Sequence, residues 1–358
     1  MHGQATIFYC ALAFTSFVSI SYAQETIEKC VMKAYFTGDG SLTLGEIRNA
    51  CSGMKIYEDE VEIAKLSITS DSTSTVGAIS SRIIKERQTE FEPYVITPHK
   101  INYILPAITT DGINKEVYSG FEGYKENLED IETKFQLSFK VPLNYESILI
   151  EGDGLYFGFT IQAWWQIYAE NISKPFRETN YQPEIFYLTP LDWHPFGGNT
   201  GMIAGIEHQS NGRAQNLSRS WNRVYANFLF EKNNFALSFK PWLRLSENEK
   251  AFKLDPKGDD NPDIEDFFGH YELSVVYKWH DLEFSMSGRQ NFSTSKGSAE
   301  FGLTFPLWGK LRGYATAFSG YGESMIDYNH SQTRFGLGLA LSTVRYGNIV
   351  ADLVSLLL

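Results

Sequence analysis

From about Ile101 onward, apolar and polar residues alternate along the chain with a period of two. Phe135, Leu137, Phe139 and Val141 are interleaved with Gln136, Ser138 and Lys140. Leu282, Phe284 and Met286 alternate with Glu283, Ser285 and Ser287, and Phe335, Leu337, Leu339 and Leu341 with Gly336, Gly338 and Ala340. Successive side chains of a strand point to opposite sides, so each stretch carries one apolar face and one polar, small or charged face. About twelve such strands fit between Ile101 and Leu341. Short breaks such as Lys232-Asn233-Asn234 and Trp279-His280-Asp281 separate some of them, and long links such as Glu247–Glu265 separate others.

Two architectures share this pattern. A soluble sandwich buries the apolar face; a transmembrane barrel turns it to lipid. Many of these stretches run about 10 residues, the length a tilted strand needs to cross hydrocarbon, whereas sandwich strands are nearer ~5–6. The expected fold class is therefore all-β: a transmembrane antiparallel β-barrel of about twelve strands over residues 98–342. An even count suits a closed bacterial barrel. Glu283, Arg289, Glu300 and Arg334 fall on the non-apolar face and are expected to pair inside a narrow lumen. Trp164, Trp165 and the many tyrosines are expected in the interfacial belts.

The ends of the chain follow other rules. Residues 1–23 read as a secretory signal, with the apolar run Ala5–Ile20 and a small-residue cleavage pattern ending at Ala23. Residues 24–97 show no alternation and read as a periplasmic N-terminal extension. Cys10 leaves with the signal, and the remaining pair in an exported chain predicts a Cys30–Cys51 disulfide. Residues 343–358 form a C-terminal tail beyond the last alternating strand. The net charge of −12 argues against a nucleic-acid partner.

The candidate chemistry sits in Gly205–Phe230. His208 and Ser210, two residues apart in a predicted strand, share a face with Met202, Ala204 and Ile206. On the return strand Asn222 shares a face with Val224, Ala226, Phe228 and Phe230. A lone His-x-Ser in a strand is ordinarily structural. A serine, a histidine and an asparagine together on an apolar surface instead point to nucleophilic catalysis on an apolar substrate. An asparagine in place of the usual aspartate is reasonable there, because holding a carboxylate charged on a lipid-facing surface is costly. The alternation alone is equally compatible with a non-catalytic barrel, a narrow pore or a structural protein.

The strings HQSNGR and SRSWNR resemble the outer membrane phospholipase A family, calcium-dependent barrel enzymes of Gram-negative envelopes. PFRETNYQPEIF (175–186), KPW (240–242), DDNPDI (259–264) and FSGYGESMIDYNHSQTRFGLG (318–338) support the likeness in the same order. The resemblance implies hydrolysis of phospholipid and lysophospholipid acyl esters, with phospholipase A1 and A2 activity. In that reading Ser210 is the nucleophile, His208 the base and Asn222 the residue that orients the imidazole. The Gly212 amide is the implied oxyanion donor. The Arg213 carbonyl, the Ser218 hydroxyl, Asp260 and a carbonyl of Ser173 from a second subunit are the implied calcium ligands, and the active form is a homodimer. Three positions depart from the family: Gln209 replaces an acidic residue between the histidine and the serine, Gln215 replaces an acidic residue tied to a secondary calcium site, and Ile161 replaces a polar residue at the dimer seam.

Overall fold

The computed structural model describes residues 97–341, apart from 145, 253, 254, 256 and 310. The expected secretory signal, the extension through residue 96 with its Cys30–Cys51 pair, and the C-terminal tail lie outside the described residues. The strands are β1 (Thr97–Pro98), β2 (Asn102–Thr110), β3 (Ile131–Pro142), β4 (Gly154–Trp165), β5 (Phe176–Leu191), β6 (Asn199–Ser210) and β7 (Ser220–Lys232). They continue as β8 (Phe235–Leu245), β9 (Tyr271–Trp279), β10 (Leu282–Asn291), β11 (Lys296–Trp308), β12 (Leu311–Tyr321) and β13 (Ser331–Leu341). A five-residue helix, α1 (Ile264–Phe268), interrupts the link between β8 and β9.

Every neighbouring pair is antiparallel, and β13 pairs back onto β2, so twelve strands close a ring. Closure is what hydrocarbon demands, since an open edge would leave backbone N–H and C=O groups without partners. The short β1 adds no stave. Its partners on β3, Lys140 and Phe139, continue the line that Tyr103↔Gln136 begins, so β1 and β2 are one interrupted strand. No helix among the described residues is long and apolar enough to cross a membrane; the strands do the crossing.

The alternation lands as expected. On β7, Trp221, Arg223, Tyr225, Asn227, Leu229 and Glu231 are buried inward, while Asn222, Val224, Ala226, Phe228 and Phe230 face out. On β3, Glu132, Lys134, Gln136, Ser138 and Lys140 point in, and Leu137 and Val141 point out. Trp164 corrects the expected belt. It is fully buried, with the Lys134 ammonium over its ring at 5.0 Å. Adjacent residues of a strand take opposite faces, so of the Trp164-Trp165 pair only Trp165 lies outward, stacked on Phe176.

The interior is filled by paired charges around a cavity of about 240 Å³. Glu132 accepts from Arg177 at 2.9 and 3.0 Å and from Arg334 at 2.6 Å. Arg177 also reaches Asp327 at 2.9 Å, and Glu323 receives Arg334 at 3.1 Å and Lys134 at 2.8 Å. Three carboxylates thus meet three cations, which is what allows all six to be buried. Glu283 lies near Arg312 and Lys278, at 3.8 and 3.9 Å. Arg289 differs from expectation. It bonds Ser298 Oγ and the Gly322 carbonyl and lies over the Phe268 ring.

The two ends of the barrel are unequal. At one end connections 192–198, 233–234 and 280–281 are short and 143–153 is longer; at the other 111–130, 166–175, 211–219, 246–270 and 322–330 are long and 292–295 is short. By the usual asymmetry of such barrels the end with mostly long connections faces outward from the cell.

Glu132→Ala leaves Arg177 and Arg334 without their shared carboxylate. It should destabilise the barrel by about 3–5 kcal/mol, read as a lower urea midpoint by tryptophan fluorescence. The lipid-facing Phe335→Leu serves as the near-neutral control, and equal midpoints for the two variants would refute the role given to the network.

Candidate active site

His208 and Ser210 end β6 at the rim with the long connections, and Asn222 lies at the start of β7. The register makes His208 and Asn222 direct cross-strand partners, and Ser210 pairs with Ser220. Directly opposed residues on one face have side chains close enough to bond. Here His208 Nδ1 meets Asn222 Oδ1 at 2.9 Å. An amide oxygen only accepts, so Nδ1 carries the proton and Nε2 keeps its lone pair. Ser210 lies two residues along, on the same face of β6 as His208.

The surround is apolar. Ile206, Val224, Leu243 and Leu245 are exposed on the outer face beside His208 and Asn222, and Tyr181 pairs with Ser210 from β5. In a membrane this apron faces acyl chains, so the site opens to the bilayer.

The loop after Ser210 is built around Asn211, which is buried. Its Oδ1 accepts from the Arg213 and Arg219 amides at 3.2 and 2.9 Å, and its Nδ2 donates to the Leu217 carbonyl at 2.7 Å. Arg213 clamps the loop to β5, donating to the Phe176 and Arg177 carbonyls, each at 2.8 Å. Gly212 adopts φ +61°, in the left-handed region, with its Cα against the Tyr181 ring; a Cβ there would come within 3.2 Å of the ring. The residue type and the backbone shape at this position therefore agree.

The long β8–β9 link brings in the acidic residues. α1 buries Ile264, Phe267 and Phe268 in the mouth of the barrel, where Phe268 packs edge-on against Trp221. That anchor fixes the preceding string. Asp259 takes both oxygens to Arg244 at 2.6 Å, and Asn261 Oδ1 accepts the Ser220 amide at 2.9 Å. Asp260, held between them, accepts from Ser218 Oγ at 2.5 Å and pairs with the Lys250 ammonium. Of the residues implicated by sequence, the structure unites His208 with Asn222 and Ser218 with Asp260. Ser173 stands exposed in the connection after β4 and takes no part in those bonds. Gln215 is exposed, with φ +57°.

Sequence reasoning missed two neighbours. Lys250 and Glu247 sit in SENEK, a charged stretch with no pattern that marks either one. Glu247 Oε1 accepts a hydrogen bond from Asn222 Nδ2 at 3.0 Å. The outward strand position carries the neutral Asn222 amide, and its carboxylate partner follows beyond the end of β8, where it is half-buried.

Known proteins share this sequence pattern and fold. The family model described as phospholipase A1 matches residues 79–341. The phospholipase A1 of Escherichia coli (strain K12) is 36% identical over 291 residues, covering 81% of this chain and 94% of that protein. The solved outer membrane phospholipase A from Escherichia coli superposes with a TM-score of 0.68 at 36% identity, covering 75% of this chain and 99% of that one. An asparagine-to-alanine active-site mutant of the same enzyme superposes equally well. The outer membrane phospholipase of Salmonella typhi, solved as a dimer with bound calcium, superposes with a TM-score of 0.66 at 37% identity, covering 73% of this chain and 97% of that one.

Asn211→Ala removes the bonds that shape the loop while leaving the strands paired. Hydrogen–deuterium exchange should then speed up at the Arg213 and Arg219 amides by about tenfold, the equivalent of one lost hydrogen bond, with strand amides unchanged. Unaltered exchange at both amides would contradict this assignment.

Proposed function

The chain belongs to the phospholipase A1 family, and on that premise we propose that Ser210, His208 and Asn222 hydrolyse the acyl ester bonds of phospholipids and lysophospholipids at the lipid-facing surface of the barrel. The family and the fold make the protein an outer-membrane phospholipase. The observation that carries the residue-level reading is the His208–Asn222 bond on the outward face, two residues from Ser210.

Ser210 Oγ attacks the ester carbonyl while His208 Nε2 takes the hydroxyl proton. Asn222 keeps the other ring nitrogen protonated and the ring in plane. The oxygen that becomes negative faces the Gly212 amide, a fixed donor that needs no rearrangement as charge develops. His208 then hands its proton to the departing glycerol oxygen. In the second half, His208 activates a water that releases the fatty acid and restores the serine hydroxyl. The exposed Ile206, Val224, Leu243 and Leu245 give the acyl chain an apolar seat, so substrate can reach the serine without leaving the bilayer.

The residues around Ser218 fit a hard cation. A hydroxyl and a carboxylate converge there, both of them oxygen donors of the kind calcium takes, and the Lys250 ammonium already stands at Asp260 as a cation does. Ser218 and Asp260 would hold calcium together with the Arg213 carbonyl and a carbonyl of Ser173 from a second copy of the chain. When bound, calcium adds positive field and an oriented water to the hole formed by Gly212. The bound calcium and dimeric state of the Salmonella typhi relative support this reading. A ligand shared between subunits makes the homodimer the active form. Ile161, half-exposed on the outer face of β4, gives the dimer seam an apolar character, so packing rather than polar bonding would hold it. The proposed physiological role is the removal of phospholipids that reach the outer leaflet.

Fatty-acid release from mixed phospholipid micelles tests the reading. Wild type should be active with calcium and silent with chelator, and Ser210→Ala should lose at least ~10³-fold in kcat, the scale of losing a triad nucleophile. Asp260→Ala should need more calcium for half-maximal rate. Release that persists in chelator, or that survives the serine change, would sink the mechanism.

A further inference from the structure

Asn222 is gripped from both ends. Its Oδ1 meets His208 Nδ1 at 2.9 Å, and its Nδ2 donates to Glu247 Oε1 at 3.0 Å. A carboxylate can only accept hydrogen bonds, so the amide nitrogen must face Glu247 and the amide oxygen must face the imidazole. This matters because an asparagine, unlike an aspartate, has two different ends. Its terminal torsion has two broad wells about half a turn apart. In the flipped state NH2 would point at Nδ1, the ring would hold its proton on Nε2, and the serine would lose its base. An aspartate has no such ambiguity, since both of its oxygens accept.

We propose that Glu247 is a positioning residue that fixes the amide orientation of Asn222 and so selects the catalytic tautomer of His208. This rests on the triad reading above and adds a fourth residue to it. The fold places Glu247 for the task. Leu245, the last residue of β8, is the backbone partner of Asn222, and Glu247 follows two residues later, where the chain turns back over the rim. The segment is stitched down beyond it. The Asn248 carbonyl accepts from the Asp259 amide at 2.8 Å, and Lys250 pairs with Asp260. Glu247 is half-buried. It is near enough to direct the amide while remaining partly exposed.

The test uses the full chain in detergent with calcium and compares E247A, E247Q, N222A, N222D, N222D/E247Q and N222A/E247Q. Kinetics on phospholipid micelles are read beside labelling of Ser210 by a sulfonyl fluoride. E247A should lower kcat by about 10- to 100-fold, the equivalent of one charge-assisted hydrogen bond, with little change in KM and an unchanged urea midpoint. E247Q should keep most of the activity, because its amide oxygen accepts the same bond. N222D should be poor, since two carboxylates would face each other across hydrogen-bond distance. Adding E247Q to N222D should restore activity by reversing donor and acceptor, whereas adding it to N222A should restore nothing. A purely structural role for Glu247 would not produce that rescue. Wild-type kcat in E247A, or no gain in N222D/E247Q over N222D while Ser210 labels normally in wild type, overturns the proposal. If wild type fails to label at Ser210, or S210A stays active, the triad reading itself has failed and the proposal falls with it.

Discussion

The whole molecule depends on one requirement: backbone polar groups inside hydrocarbon must find partners within the protein. Twelve antiparallel strands meet it only by closing, and the β2–β13 pairing completes the ring. Closure then divides every strand into an outward and an inward half. The outward half is apolar because it meets acyl chains. The inward half has no bulk solvent to rely on, so its charges balance one another, as Glu132, Glu323 and Asp327 do against Arg177, Arg334 and Lys134.

The site exploits the outward half, the side on which polar groups are most costly. His208 and Asn222 reduce that cost by bonding to each other and by lying at the rim. There the strands give way to long loops, and the half-buried Glu247 accepts a bond from Asn222. The same rim supplies what the strands cannot. Asn211 shapes the loop that presents the Gly212 amide, and α1 pins the string that carries Asp260. Ser218 and Asp260 therefore come from different strand connections and meet only because both connections are anchored to the barrel.

The barrel could be read from the sequence because its signal is local: the period of two, strands of bilayer-crossing length and the short turns each lie within a few residues. The candidate site residues stood out for a related reason. His208, Ser210 and Asn222 fall on the apolar parity of their strands, where polar residues stand out. Trp164 was misread because two adjacent tryptophans look alike on paper, while the pleat must send them to opposite faces. The interior pairings were beyond reach, since Glu132 and Arg334 are 202 residues apart and only ring closure brings them together.

Sequence alone determined the strand pattern, the inward and outward parity, and which polar residues interrupt the apolar face, because each depends on spacing along one or two strands. Tertiary structure alone decided register and neighbourhood: that His208 faces Asn222, that Ser218 meets Asp260, and that Glu247 backs the amide. Those contacts depend on how strands slide against one another and on how a long loop folds over the rim. Charged loop segments such as SENEK carry no periodicity from which that could be read.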